Sequence, residues 1–172
     1  MADEDTLGMC LNEEDEKNLS LEVFRSLFRL IRSHGQLLFK MTSEQGFYPG
    51  QAVALLMINR TPGISQHELA EVMHVAPPTA AHILKKLEKS GFISKTVNMK
   101  DQRSVHIQLT QDGVEAVKTV TNIFKDIVKV SLDGLNEQQK NELVELLNMV
   151  TSNMCQRMKS LGGTTVDDRT IH

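Results

Sequence analysis

Residues 77–90 hold the densest set of side chains able to do chemistry. Pro77 and Pro78 cannot sit inside a helix, but both fit its first turn, where the amide hydrogens they lack have no intrahelical acceptor. At about 100° per residue, Pro78, His82, Lys85 and Lys89 fall on one side of the helix that follows, flanked by Thr79, Ala81 and Lys86. Ala80, Ile83, Leu84 and Leu87 fall on the other side, and Glu88 lies nearer the edge. The polar face therefore offers three lysines and a histidine without an acid. Ammonium groups suit phosphate oxygens, and small residues near the helix start allow close approach to base edges in a groove. On a lone helix the same pattern would be a solvated lysine face, so the neighbouring elements decide between the two readings.

Before this helix, Ser65-Gln66-His67-Glu68 is a capping box: the serine oxygen can accept the Glu68 amide hydrogen, and the carboxylate can reach back. It opens a short helix with Leu69, Val72 and Met73 inward, ending by Val75. After it, Gly91 stops the cationic helix. Phe92 to Met99 reads as a strand, Lys100 to Ser104 as a polar turn, and Val105 to Leu109 as a second strand with Val105, Ile107 and Leu109 on one face. Two short helices and then a hairpin is the order of a winged helix-turn-helix, in which the second helix enters the major groove. An arginine on the hairpin tip, here Arg103, can enter a narrow minor groove, and Asp101 can brace its guanidinium. Without DNA, the same residues would be a surface hairpin with an incidental ion pair. Ser65, Gln66 and Lys95 complete the expected contact set: Ser65, Gln66, Pro78, Thr79, His82, Lys85, Lys86, Lys89, Lys95 and Arg103.

Charge is distributed in a compatible way. The chain of 172 residues carries a net −3 at neutral pH. Residues 1–18 hold seven acids against Lys17, which leaves the rest of the chain at +3. Residues 60–106 hold seven basic and four acidic side chains, with four histidines besides. A basic centre between acidic ends suits a nucleic-acid-binding module.

The flanking segments read as long helices. One spans about 20–42, with Leu21, Phe24, Leu27, Phe28, Ile31 and Leu38 at helical spacing and Arg25, Arg29 and Arg32 on another face. A second starts at Tyr48-Pro49-Gly50 and stops at Thr61-Pro62-Gly63. Another runs from Thr110 to about Leu132, and a last one is capped by Asn136. The expected fold is mainly α with a small β-hairpin wing: a winged helix-turn-helix plus a helical dimerisation region. The expected division is an acidic arm at 1–18, a dimerisation helix at 19–48, a DNA-binding lobe at 49–109, two dimerisation helices at 110–161 and a tail at 162–172. The first, fifth and sixth helices have no partner in a DNA-binding unit of this size, which calls for a second copy and hence a two-fold-related DNA site.

Other classes find little support. The longest apolar run, Ala52 to Ile58, is too short to span a bilayer, and the first residues do not read as a secretory signal. Cys10 and Cys155 make no disulfide framework, which fits a reducing cytoplasm. No Cys/His pair has zinc-motif spacing; His34, His67, His74 and His106 read as surface or packing residues. Phosphate loops, nucleophile elbows and paired carboxylates are missing, so neither an enzyme nor a cofactor is expected.

Leu87-Glu88-Lys89-Ser90-Gly91-Phe92-Ile93, the Asp101-Gln102-Arg103 turn and the Leu109-Thr110-Gln111-Asp112-Gly113 junction together resemble the wing signature of the MarR (multiple-antibiotic-resistance regulator) family of bacterial transcription factors. Ile64 to Ala70 is similar to that family's first helix-turn-helix element, and the likeness covers about residues 20–160. It implies a homodimer with interlocking terminal helices that binds double-stranded DNA at a pseudo-palindromic operator, with Arg103 at the minor groove. It also implies repression relieved by a small-molecule effector between the dimer helices and the DNA-binding lobe, where His34, Leu38, Met41, Phe47, Tyr48 and Met57 are the candidate lining. One position departs from the pattern, since many members carry Arg or Lys where His82 stands. Two further readings stay open: a thiol-based sensor using Cys10 or Cys155, and a winged-helix protein adaptor that does not bind DNA.

Overall fold

The structure, a computed structural model, describes residues 18–98 and 101–162, with backbone alone at 96–98 and 101–105. In chain order the elements are α1 (Leu19–Glu44), α2 (Pro49–Arg60), α3 (Gln66–Val72), α4 (Pro77–Lys89), β1 (Ile93–Asn98), β2 (Asp101–Leu109), α5 (Gln111–Ser131) and α6 (Glu137–Ser160). This is the expected mainly helical chain with one hairpin. It divides into two compact units between Ile127 and Val128, within α5.

In the first unit, helix boundaries follow local chemistry. Asn18 accepts the Ser20 amide at 2.9 Å to start α1. The Gln51 side chain accepts the Tyr48 amide at 3.0 Å at the start of α2. Ser65 and Glu68 form both halves of the capping box of α3, at 2.8 and 3.2 Å. The core gathers Leu55 and Ile58 from α2, Leu69 from α3, Leu84 and Leu87 from α4 and Ile107 from β2, each essentially without solvent contact. Six such residues, each worth about 1.5–3 kcal/mol of transfer free energy when buried, form the scaffold that holds α4 in place. Ala116, Val117 and Val120 of α5 enter the same cluster. That gives the fifth helix a partner inside the lobe, contrary to the expectation from its stripe alone, because Gly113 in its first turn lets the helix approach Phe92 and Leu109 closely.

The hairpin is antiparallel, with Ile93 opposite Leu109 and Val97 opposite Val105. Here the polar turn expected at 100–104 is corrected. The β2 backbone starts at Asp101, which pairs with Asn98, and the register shifts between Val97 and Asn98. Gln102, Arg103 and Ser104 are the extra residues on β2, so Arg103 sits in an irregular stretch of strand rather than on a free loop. A polar segment conceals such an extension because the ladder uses backbone groups only. The chain at 63–65 also joins β2: Gly63 donates to the Ile107 carbonyl, Ile107 donates to the Ile64 carbonyl, and Ser65 bridges to His106. His106 Nδ1 lies 2.8 Å from the Gly63 carbonyl oxygen. Gly63 has φ +82°, the left-handed conformation that glycine adopts without strain.

In the second unit, Asn136 caps α6, accepting the Gln139 amide at 2.9 Å, and the Gln139 side chain accepts the Asn136 amide at 3.0 Å. No residue of α6 is buried. Among the described residues, no helix is long and apolar enough to cross a membrane.

Candidate nucleic-acid interface

The turn into α4 begins at His74, which has φ +50°. Its amide donates to the Glu71 carbonyl, and that of Val75 to the Ala70 carbonyl, which closes the end of α3. Ala76 then takes an extended conformation, as a residue before proline should. Pro77 and Pro78 carry no amide hydrogen, and the next two amides, of Thr79 and Ala80, both donate to the Ala76 carbonyl. The four N-terminal backbone donors of α4 are thus absent or used. This helix start has no free amide for a phosphate, so an anion must be met by side chains.

Those side chains point outward. Pro78, Thr79, His82, Lys85, Lys86 and Lys89 are all exposed, while Ala80, Leu84 and Leu87 beneath them are buried. The exposure of His82 excludes a role as a buried residue closing the turn between α3 and α4. Gln66 is exposed at the start of α3, and Ser65, half-buried beside it, is engaged in the capping box. The Glu68 carboxyl is held below its ordinary pKa, first by the Ser65 backbone amide and then by the Ser65 hydroxyl.

Two contacts that sequence reasoning did not find restrain the cationic face. Lys95 on β1 donates to Glu88 Oε2 at 2.8 Å, tying the end of α4 to the hairpin. Lys86 Nζ lies 4.8 Å from the centre of the Tyr48 ring. Neither partner is a helical neighbour, so periodicity carries no signal for these pairs. A third missed feature is the junction behind the wing. Thr110 Oγ1 donates to the Gly91 carbonyl at 2.6 Å and accepts the Gly113 amide at 3.1 Å. A side chain at Gly113 would collide with the Phe92 carbonyl. The Leu-Thr-x-x-Gly pattern was visible in the sequence, and this close approach is its physical cause.

The side chains of Asp101 and Arg103, the Lys100 position and Cys10 lie outside the described residues. The six candidate effector residues are spread between core and surface. Phe47 is buried, its ring 5.5 Å from that of Phe92. His34 and Tyr48 are exposed, and Leu38, Met41 and Met57 are half-buried. Met41 lines a cavity of about 280 Å³ with Glu44, Gln45, Thr119, Asn122, Ile123 and Asp126. Cys155 is partly exposed. Among the described residues, no three His, Cys, Asp or Glu side chains are grouped to hold a metal.

A helix-turn-helix held by one core and flanked by a hairpin defines a winged-helix protein. The MarR family model matches residues 47–105. An uncharacterized HTH-type transcriptional regulator of Bacillus subtilis, YybA, is 31% identical over 105 residues, spanning 61% of this chain and 70% of its own. The HTH-type transcriptional repressor MdtR of the same species is 27% identical over 115 residues, covering 67% and 72%. Among solved structures, the Staphylococcus aureus MepR–DNA complex superposes with a TM-score of 0.64 at 23% identity, over 74% of this chain and 94% of that one. The chain belongs to the MarR family, and it is a transcriptional regulator of the winged-helix, DNA-binding class.

Proposed function

We propose that the chain acts as a homodimeric repressor that binds a pseudo-palindromic operator and is released by a small-molecule effector. The observation that carries this reading is the face of α4, where exposed His82, Lys85, Lys86 and Lys89 stand over buried Ala80, Leu84 and Leu87. Lys85, Lys86 and Lys89 hold phosphates, and His82, nearer the helix start, meets a base edge or a phosphate that fixes register. Pro78 and Thr79 approach the groove, Ser65 and Gln66 meet the backbone beside it, and Lys95 and Arg103, braced by Asp101, serve the wing. Residues 49–109 form the DNA-binding lobe; 19–48 and 110–161 dimerise.

Exposed apolar residues support dimerisation: Leu30 and Ile31 on α1, and Val144, Leu146 and Met149 on α6, each half or more accessible. So many apolar residues left in water mark a surface for a partner. Repression agrees with the role of MdtR as a transcriptional repressor, and operator binding with the DNA seen with MepR. Effector release rests on the resemblance, with His34, Leu38, Met41, Phe47, Tyr48 and Met57 as its candidate residues.

Selection of a binding site from random DNA by the full chain, followed by titration over a range of salt, tests the proposal. The expected result is an inverted repeat bound by two chains, with affinity falling steeply as salt rises. Failure to enrich any sequence, with no salt-dependent binding, would leave the adaptor reading in its place.

A further inference from the structure

We propose that Tyr48 is a positioning residue for DNA binding, its ring pre-placing the Lys86 ammonium at the edge of the α4 face. The proposal rests on the DNA-binding reading above. Tyrosine has no short oxygen for capping, and the Gln51 side chain already takes the Tyr48 amide, so α2 does not require an aromatic residue there. Tyr48 is 58% exposed, which a merely apolar role would not favour. It is fixed from behind instead: Phe47 is buried against Phe92, and Pro49 sets the backbone that follows. Gly50 brings α4 close, since a side-chain carbon there would stand 3.2 Å from Ile83 Cδ1. Lys86 lies one turn beyond Ile83, and its Nζ is 4.8 Å from the ring centre.

The three lysines of this face are therefore unequal. Among the described residues, neither Lys85 nor Lys89 has an ion-pair or ring partner, so each must lose its full side-chain freedom when it meets a phosphate. Lys86 has lost part of that freedom beforehand. A ring face attracts the ammonium through its quadrupole but does not use up the N–H donors directed away from it, which remain available to a phosphate oxygen.

The test is a double-mutant cycle, with the full chain titrated onto its selected operator duplex by fluorescence anisotropy. Tyr48→Leu should weaken binding about threefold per half-site, about tenfold per dimer. Tyr48→Phe, which keeps the ring, should bind like the unaltered chain. In a Lys86→Ala background Tyr48→Leu should cost nothing further. Equal losses from Tyr48→Leu with and without Lys86, or a loss in Tyr48→Phe as large as in Tyr48→Leu, would overturn the proposal. Binding that Lys89→Ala weakens and Tyr48→Leu leaves intact would overturn it alone. Absence of any salt-dependent binding by the unaltered chain would overturn the DNA-binding reading and this proposal together.

Discussion

The apolar residues of α4 and those of α6 end in opposite environments. Ala80, Leu84 and Leu87 of α4 are sealed from solvent, while Leu146, Met149 and Met154 of α6 are each more than half accessible. Both helices repeat apolar residues at helical spacing. The difference is that α4 has α2, α3 and β1 of its own chain packed against it, and its opposite face is left free for cations. A hydrophobic period states that a helix has a side to bury and does not state what covers it. In α4 the covered side fixes the polar side; in α6 the accessible apolar residues are the part that the proposed homodimer would cover.

Substitutions on the two helices should therefore act on different measurements. Leu84→Ala opens a cavity in a full core and should lower stability by about 2–5 kcal/mol, seen as a lower denaturation midpoint. Leu146→Asp should leave the secondary structure of the chain in place, as seen by circular dichroism, and shift a micromolar sample from dimer to monomer in sedimentation. A dimer that tolerates Leu146→Asp would remove the distinction drawn here. Within the lobe, His74 occupies the left-handed region at φ +50° without a glycine's freedom. His74→Gly should stabilise by about 0.5–1 kcal/mol and raise the melting temperature, whereas a β-branched residue there should lower it. The smallest effect expected is at Glu68. Its folded-state pKa is depressed by Ser65, so its contribution is present above the ordinary glutamate value and is lost as pH falls through the folded value. Melting temperatures of the unaltered chain and of Glu68→Gln should differ slightly at neutral pH and converge in acid.

What could be read from the sequence follows the same division. The capping boxes at Ser65 and Asn136, the paired prolines and the two faces of α4 are local, so residue type and spacing reveal them. Features made by distant segments are hidden. The three residues from Gly63 to Ser65 are too few to show alternation, and their pairing with β2 uses backbone groups that any sequence supplies. The start of β2 at Asp101 was concealed by polar residues for the same reason. Lys95 reads as a free cation until Glu88 is found 2.8 Å away, and Lys86 until Tyr48 is placed beside it. His74 in a left-handed turn has no composition signal, since glycine or asparagine marks such sites more often.

If the outward face of α4 reads DNA, as proposed, His82 is the residue whose loss should show it. It is exposed at the middle of that face, with the small Ala81 beside it. The measurement is the ratio of operator to random-sequence affinity for His82→Ala, taken together with its melting temperature. An unchanged melting temperature is expected because the side chain is not part of the core. The ratio should fall by about 1–3 kcal/mol per half-site if the imidazole meets a base edge. A ratio equal to that of the unaltered chain would contradict the account.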